Sequence, residues 1–269
     1  MKKVVFTFIV LFFSTSSLYG EYKYDDPNLG NIAIEGRIWN ASLDGQITNP
    51  YGTSDGLSTI DFQDDLAYKE ENTISSFNID VKNNWAWMPN LNLDYFAFSE
   101  SANGEFNEDK IIGEPNNVIS SGKILSNTDY SEVNLKAYGY LQQSIMEFNL
   151  GLDFKKITYE QTIENPANTD SNQTVTIKGP EEFMVVPYIA VKFDLYPINT
   201  VLKAETSLLS FGDDEARSYS YSLNYRIMRH MYIGYGYRYT SFKSSNVNNS
   251  FEKYDVQVKG NYISAKILF

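Results

Sequence analysis

One rhythm runs through most of this chain. Segments of about ten residues alternate apolar and polar side chains, and turns separate them. Residues 218–239 carry it most plainly. Tyr219, Tyr221, Leu223, Tyr225 and Ile227 oppose Ser218, Ser220, Ser222, Asn224 and Arg226; after Arg229 and His230, Ile233, Tyr235, Tyr237 and Tyr239 oppose Gly234, Gly236 and Arg238. A period of two puts the two sets on opposite faces of a β-strand. Beyond the N-terminal segment there is no run of the ~18 or more apolar residues that a membrane helix needs.

The same alternation recurs in residues 34–39, 77–82, 91–98, 133–141, 148–155, 187–195 and 201–211, and again in the terminal stretch, which makes ten strands. Long polar connections (45–72, 102–129, 160–182, the acidic tip Asp213, Asp214 and Glu215, and 243–253) alternate with short ones (83–90, 142–146, 196–199 and 229–230). With the N-terminus in the periplasm, every short turn falls inside and every long loop outside, as in bacterial barrels. The expected fold is all-β: a ten-stranded antiparallel up-and-down transmembrane β-barrel.

The last stretch, residues 259–269, is the closing strand. Ile263, Ala265, Ile267 and Phe269 share one face, and the chain stops on that aromatic in mid-strand. Pairing with the first strand would leave no open edge. Val256 and Val258 fall out of phase with this face, and a bulge near Gly260 would reconcile them.

Residues 1–20 have the form of a cleavable signal peptide: Lys2 and Lys3, an apolar run over 4–13, then small and polar residues, with cleavage within 17–20. Residues 21–269 then form one domain. The 21 Tyr and 17 Phe fit aromatic girdles, with Trp85, Trp87 and Tyr196 at the inner one and Tyr235, Tyr237 and Tyr239 rising to the outer. A net charge of −12 argues against nucleic acid, and the absence of cysteine excludes a lipoprotein anchor and a disulfide framework.

Several stretches together resemble an uncharacterised family of Gram-negative outer-membrane β-barrel proteins: residues 34–45, IDFQDDL at 60–66, 88–95, 133–156, GYGYRYTSF at 234–242 and the terminal KGNYISAKILF. The resemblance spans nearly the whole chain after the signal segment. It implies a single small barrel in the outer membrane and carries no activity with it. Closing strands of this kind often have Gly where this chain has Ser264.

Enzymatic chemistry finds little support. The single His, His230, sits in a short inner turn, and no Cys exists to serve as a nucleophile. No cofactor motif is present. Asp61, Asp64 and Asp65 are weak candidates for a divalent metal, lacking the regular spacing of a calcium loop.

The inward set is more informative. With apolar faces on lipid, the lumen receives Glu35, Arg37, Asp80, Lys82, Asp94, Lys136, Asp153, Lys155, Lys192, Asp194, Lys203, Glu205, Arg226, Arg238 and Lys266. Both signs on neighbouring strands favour cross-strand ion pairs. Ten strands lie near the size at which side chains fill the interior. The expected protein has a structural or surface-interaction role, with a largely plugged lumen and acidic outer loops. Its expected partners are outer-membrane lipids, lipopolysaccharide and, through the closing strand, the barrel-insertion machinery. The alternative is a narrow channel or pocket for small solutes, with Arg37, Arg226 and Arg238 favouring anions.

Overall fold

The structure, a computed structural model, describes residues 31–49, 58–68, 71–83, 88–112, 118–167, 174–178, 182–211, 214–244 and 253–269. The signal segment, Trp85, Trp87 and Asp213 lie outside the described residues.

Fourteen strands follow one another: β1 (Ile32–Asn49), β2 (Ser58–Asp61), β3 (Asn72–Val81), β4 (Asn90–Phe106), β5 (Lys110–Ile111), β6 (Val118–Ile119), β7 (Gly122–Gln143), β8 (Met146–Glu164), β9 (Thr174–Lys178), β10 (Glu182–Leu195), β11 (Thr200–Phe211), β12 (Asp214–Met228), β13 (Met231–Ser244) and β14 (Lys253–Leu268). Ten of them pair antiparallel in a closed ring, in the order β1-β3-β4-β7-β8-β10-β11-β12-β13-β14. β14 returns to β1, from Ala33↔Leu268 to Thr48↔Lys253. β2 adds to β1, β9 adds to the upper part of β8, and β5 and β6 form a separate ribbon. The described residues contain no α-helix, only the 3-10 turn Tyr196–Ile198.

The strands outrun the sequence reading. β1 has 18 residues and β7 has 22, where a membrane crossing takes about ten. Much of the polar sequence at 45–49, 102–106, 122–129 and 160–164 is wall rather than loop. The reason lies in what each face meets. Low in β1, Ile34 and Ile38 point outward and Glu35 and Arg37 inward; higher up, Trp39, Ala41 and Leu43 point inward while Asn40 and Asp44 face out. The side-chain phase is unbroken; only the polarity of the two faces changes over. The lower wall is apolar outside and polar inside, and the upper wall is the reverse.

β14 corrects the sequence reading on the same ground. Tyr254, Val256, Val258, Tyr262 and Ser264 are all buried on one inward face, and pairing with β1 and β13 runs through Gly260 without a shift. There is no bulge. Val256 and Val258 change from the expected face because the upper interior is apolar. Gly260 serves close approach instead: a Cβ there would lie 1.8 Å from the Asn40 carbonyl oxygen of β1.

That upper interior is filled by residues 58–68, which fold back into the barrel. Asp61 Oδ1 accepts the backbone N–H groups of Gln63 and Asp64, and Asp65 Oδ2 accepts that of Asp61. The Asp65 and Leu66 N–H groups reach the Asp61 carbonyl, closing one tight turn. The turn aims Phe62, Leu66 and Tyr68 into a buried cluster with Trp39, Phe96 and Tyr159. It is seated on β4, where the Glu105 N–H donates to the Asp65 carbonyl at 3.1 Å. A Cβ on the neighbouring Gly104 would lie 2.1 Å from that same oxygen, so glycine is what lets the turn dock.

Candidate functional site: the filled lumen

Below the apolar cluster the inward side chains are charged. One chain of contacts crosses most of the barrel. Lys266 lies 3.5 Å from Glu35; Arg37 binds Glu35 at 3.1 Å and Asp94 at 3.0 Å; Arg238 binds Asp94 at 2.6 Å and Glu132 at 3.3 Å; Lys155 binds Glu132 at 2.7 Å. Glu132 and Lys155 are 0% and 1% exposed at the side chain, so each charge depends on the other for compensation. Glu132 also accepts the hydroxyls of Tyr130 and Thr240 and the amide of Asn134. Arg238 stands where the two halves meet, with Phe96 and Trp39 rings 4.7 and 5.4 Å from its guanidinium carbon.

Among the described residues three smaller groups lie in the lower lumen. Glu205 binds Lys136 at 3.2 Å and Lys203 at 2.8 Å and accepts the Tyr188 hydroxyl. Glu147 lies between Lys82 at 3.1 Å and Lys192 at 3.5 Å. Arg226 is 3.6 Å from Asp194 and donates to the Tyr232 hydroxyl. Asp80 accepts the Tyr138 hydroxyl, and Asp153 accepts that of Ser207. One small space lies among these side chains. A cavity of about 10 Å³, lined by Asp94, Asn134, Lys136, Tyr188, Glu205 and Arg238, has space for about one water.

The residues expected in the lumen therefore gather there, but into separate groups. Arg37, Arg226 and Arg238 each lie within 4 Å of a carboxylate. Two acids that organise the network, Glu132 and Glu147, escape the sequence reading. Each sits one residue before a stretch whose outward alternation marks it as a strand; stepping the period back by one position would have found them. Asp61, Asp64 and Asp65 are not brought together as ligands. Two of the three carboxylates cap backbone N–H groups of their own turn, and no cluster of acids able to hold a metal occurs among the described residues. His230 lies in the two-residue turn joining β12 and β13.

No family model and no curated protein matches the chain. Solved structures do. The outer membrane protease OmpT from Escherichia coli aligns with 93% of this chain and 99% of its own at 10% identity, with a TM-score of 0.53. The translocator domain of the autotransporter NalP from Neisseria meningitidis aligns with 100% of this chain and 96% of its own at 8% identity, with a TM-score of 0.37. At such identities the OmpT likeness is one of fold alone. The fold is that of an outer-membrane β-barrel. No described helix is long and apolar enough to cross a membrane.

Proposed function

We propose that this protein is an integral outer-membrane barrel with a closed lumen. It acts as a structural or surface-interaction element rather than an open pore. What supports this reading is what occupies the interior: an ion-paired network in the lower half, and residues 58–68 packed into the upper half. The apolar outer belt supports placement in a bilayer. On β8 it runs from Met146 through Phe148, Leu150 and Leu152 to Phe154, about the length a membrane-crossing strand needs. Above the belt, the wall stands clear of the hydrocarbon with a polar exterior, suited to meet lipopolysaccharide or a partner at the surface. The closing strand, with Ile263, Ala265, Ile267 and Phe269 on its lipid side, is the segment the insertion machinery would recognise.

Planar-bilayer recording tests the reading. The purified barrel is expected to insert without steady ion conductance at any salt concentration. Gly104→Val, which drives a side chain into the plug's seat, is expected to add only brief openings, because the ionic network still stands below. Stable unitary conductance from the unaltered protein would overturn the proposal.

A further inference from the structure

The ring of strands is not sealed along its whole height. β10 pairs with β8 from Glu182↔Ile157 to Phe193↔Met146. On its other side it pairs with β11 only from Leu195↔Thr200 to Tyr188↔Ser207, although β10 continues up to Glu182 and β11 to Phe211. Pro187 stands where this pairing stops. The Asp194 N–H donates to the Ile145 carbonyl at the β8 side. Successive N–H groups alternate sides along a strand, so the odd positions of β10 address β11. The next rung up belongs to position 187, where proline has no N–H to give. Above it Val185 on β10 and Ser210 on β11, opposite each other by this register, do not pair.

This seam starts at the upper edge of the apolar belt, where Val185 stands beside Phe154 and Phe183 beside Lys156 of β8, and is bordered outside by Phe183, Val185 and Leu208, all exposed. Irregular backbone at that depth is tolerated where it lines a passage or pocket rather than bare lipid. The final rung, Tyr188↔Ser207, opens onto the small lumen cavity, since both residues line it. Immediately behind the seam is Asp153, the rung partner of Val186 on β8. It is fully buried, its Oδ2 accepts the Ser207 hydroxyl at 2.9 Å, and its Oδ1 has no donor. Lys136, directly across from it on β7, is turned to Glu205. The Asn134 Oδ1 on the cavity wall is likewise a buried acceptor without a donor. Behind the unpaired stretch, then, lie two buried acceptors without donors, one of them the Asp153 carboxylate, which has no ion-pair partner among the described residues.

We propose that the seam between β10 and β11 is a lateral binding site for a single-chain amphiphile with a cationic, hydrogen-bond-donating head. The tail lies along Phe183, Val185 and Leu208, and an ammonium head reaches Asp153 Oδ1 past Ser207. Access is from the outer leaflet, so the site requires no opening through the lumen and stands whether or not the barrel conducts.

The test titrates the full-length barrel, refolded in nonionic detergent, with decylamine and with decanoate as probes, by calorimetry. Decylamine is expected to bind and decanoate to bind at least about tenfold more weakly, the scale of one charged hydrogen bond. Asp153→Asn should erase that preference. Pro187→Val restores the missing donor; it should extend the β10–β11 ladder, raise the unfolding temperature and abolish decylamine binding, a pairing of effects that mere damage would not produce. Because the chain has no cysteine, Val185→Cys with Ser210→Cys, bridged by a short bis-maleimide, gives an independent closure of the seam, and should also abolish binding. The site is overturned if the unaltered barrel does not bind decylamine, or if the Pro187→Val or bridged barrel binds it equally well. The head-group assignment is overturned if decanoate binds as tightly, or if Asp153→Asn keeps the preference.

Discussion

The lower and upper halves of this barrel use one continuous set of strands to solve opposite problems. In the lower half the wall faces hydrocarbon, so apolar side chains point out and the charged ones must be satisfied against each other inside. In the upper half the wall faces water, so polar side chains point out and the interior closes by apolar packing around a folded-back turn. Neither half changes strand register to do this. β1 passes from Ile34 and Ile38 outside to Trp39 and Leu43 inside without slipping against β14. Alternation reports only which residues share a face; the solvent on each side decides which face is apolar. The two halves also differ in what holds them. The lower interior is a set of buried ion pairs, in which losing one partner strands the other. The upper interior is a packed core, in which losing one side chain costs its contacts and leaves a void.

The largest effect should come from the hub of the lower half. Glu132→Ala strips Lys155 and Arg238 of a shared partner, each nearly without exposure. Removal of one member of a buried pair costs about 3–5 kcal/mol. The expected outcome is a marked drop in the temperature at which the folded, fast-migrating form on a denaturing gel is lost. Glu132→Ala with Lys155→Met should recover part of the loss, since the second change removes the stranded ammonium. A double variant no more stable than the single one would deny that Glu132 matters through its charge.

A smaller effect separates the two outer faces. Leu150 and Thr158 lie on the same outward side of β8, eight positions apart. Lys in the middle of a lipid-facing belt costs about 2–4 kcal/mol, while an ordinary surface change stays within about 0.5 kcal/mol. Leu150→Lys should therefore depress folding into lipid vesicles, measured by denaturant titration, and Thr158→Lys should leave it nearly unchanged. Equal costs at the two positions would remove the division between belt and upper wall.

How much of this was readable beforehand follows from the same division. The ten strands, their order and the lower lumen charges were legible because the belt marks each crossing with outward apolar residues, as at Phe148, Leu150, Leu152 and Phe154. The upper wall was not. There the apolar residues turn inward, and stretches such as 122–129 look like loop by composition. Val256 and Val258 show the confusion at its sharpest: a change of environment reads as a change of register. The plug left a trace in Ile60, Phe62 and Leu66, apolar residues inside an otherwise polar connection, but their inward fold depends on Gly104, far later in the chain. Pro187 was visible as a proline within a strand. That its missing N–H faces β11 rather than β8 follows only from the ladder.

The smallest effect is expected in the plug, at one of the hydroxyls that tie it to the wall. Tyr68 sits in the buried cluster, with its hydroxyl 2.5 Å from that of Ser126 and also bonded to Thr128. Burial pushes this hydroxyl up from the ordinary tyrosine range. The folded form thus holds the proton more tightly than the unfolded one, and the sign follows: the stabilisation is whole below the ordinary tyrosine range and falls away as pH rises through it and beyond. Tyr68→Phe should cost about 1 kcal/mol near neutral pH, the value of a typical net hydrogen bond. The difference should narrow in alkaline buffer, because only the unaltered protein loses this contribution there. Unfolding temperatures of the two proteins, followed from neutral to alkaline pH, should therefore converge. A constant gap across that range would mean that the ring of Tyr68 seats the turn and its hydroxyl contributes nothing.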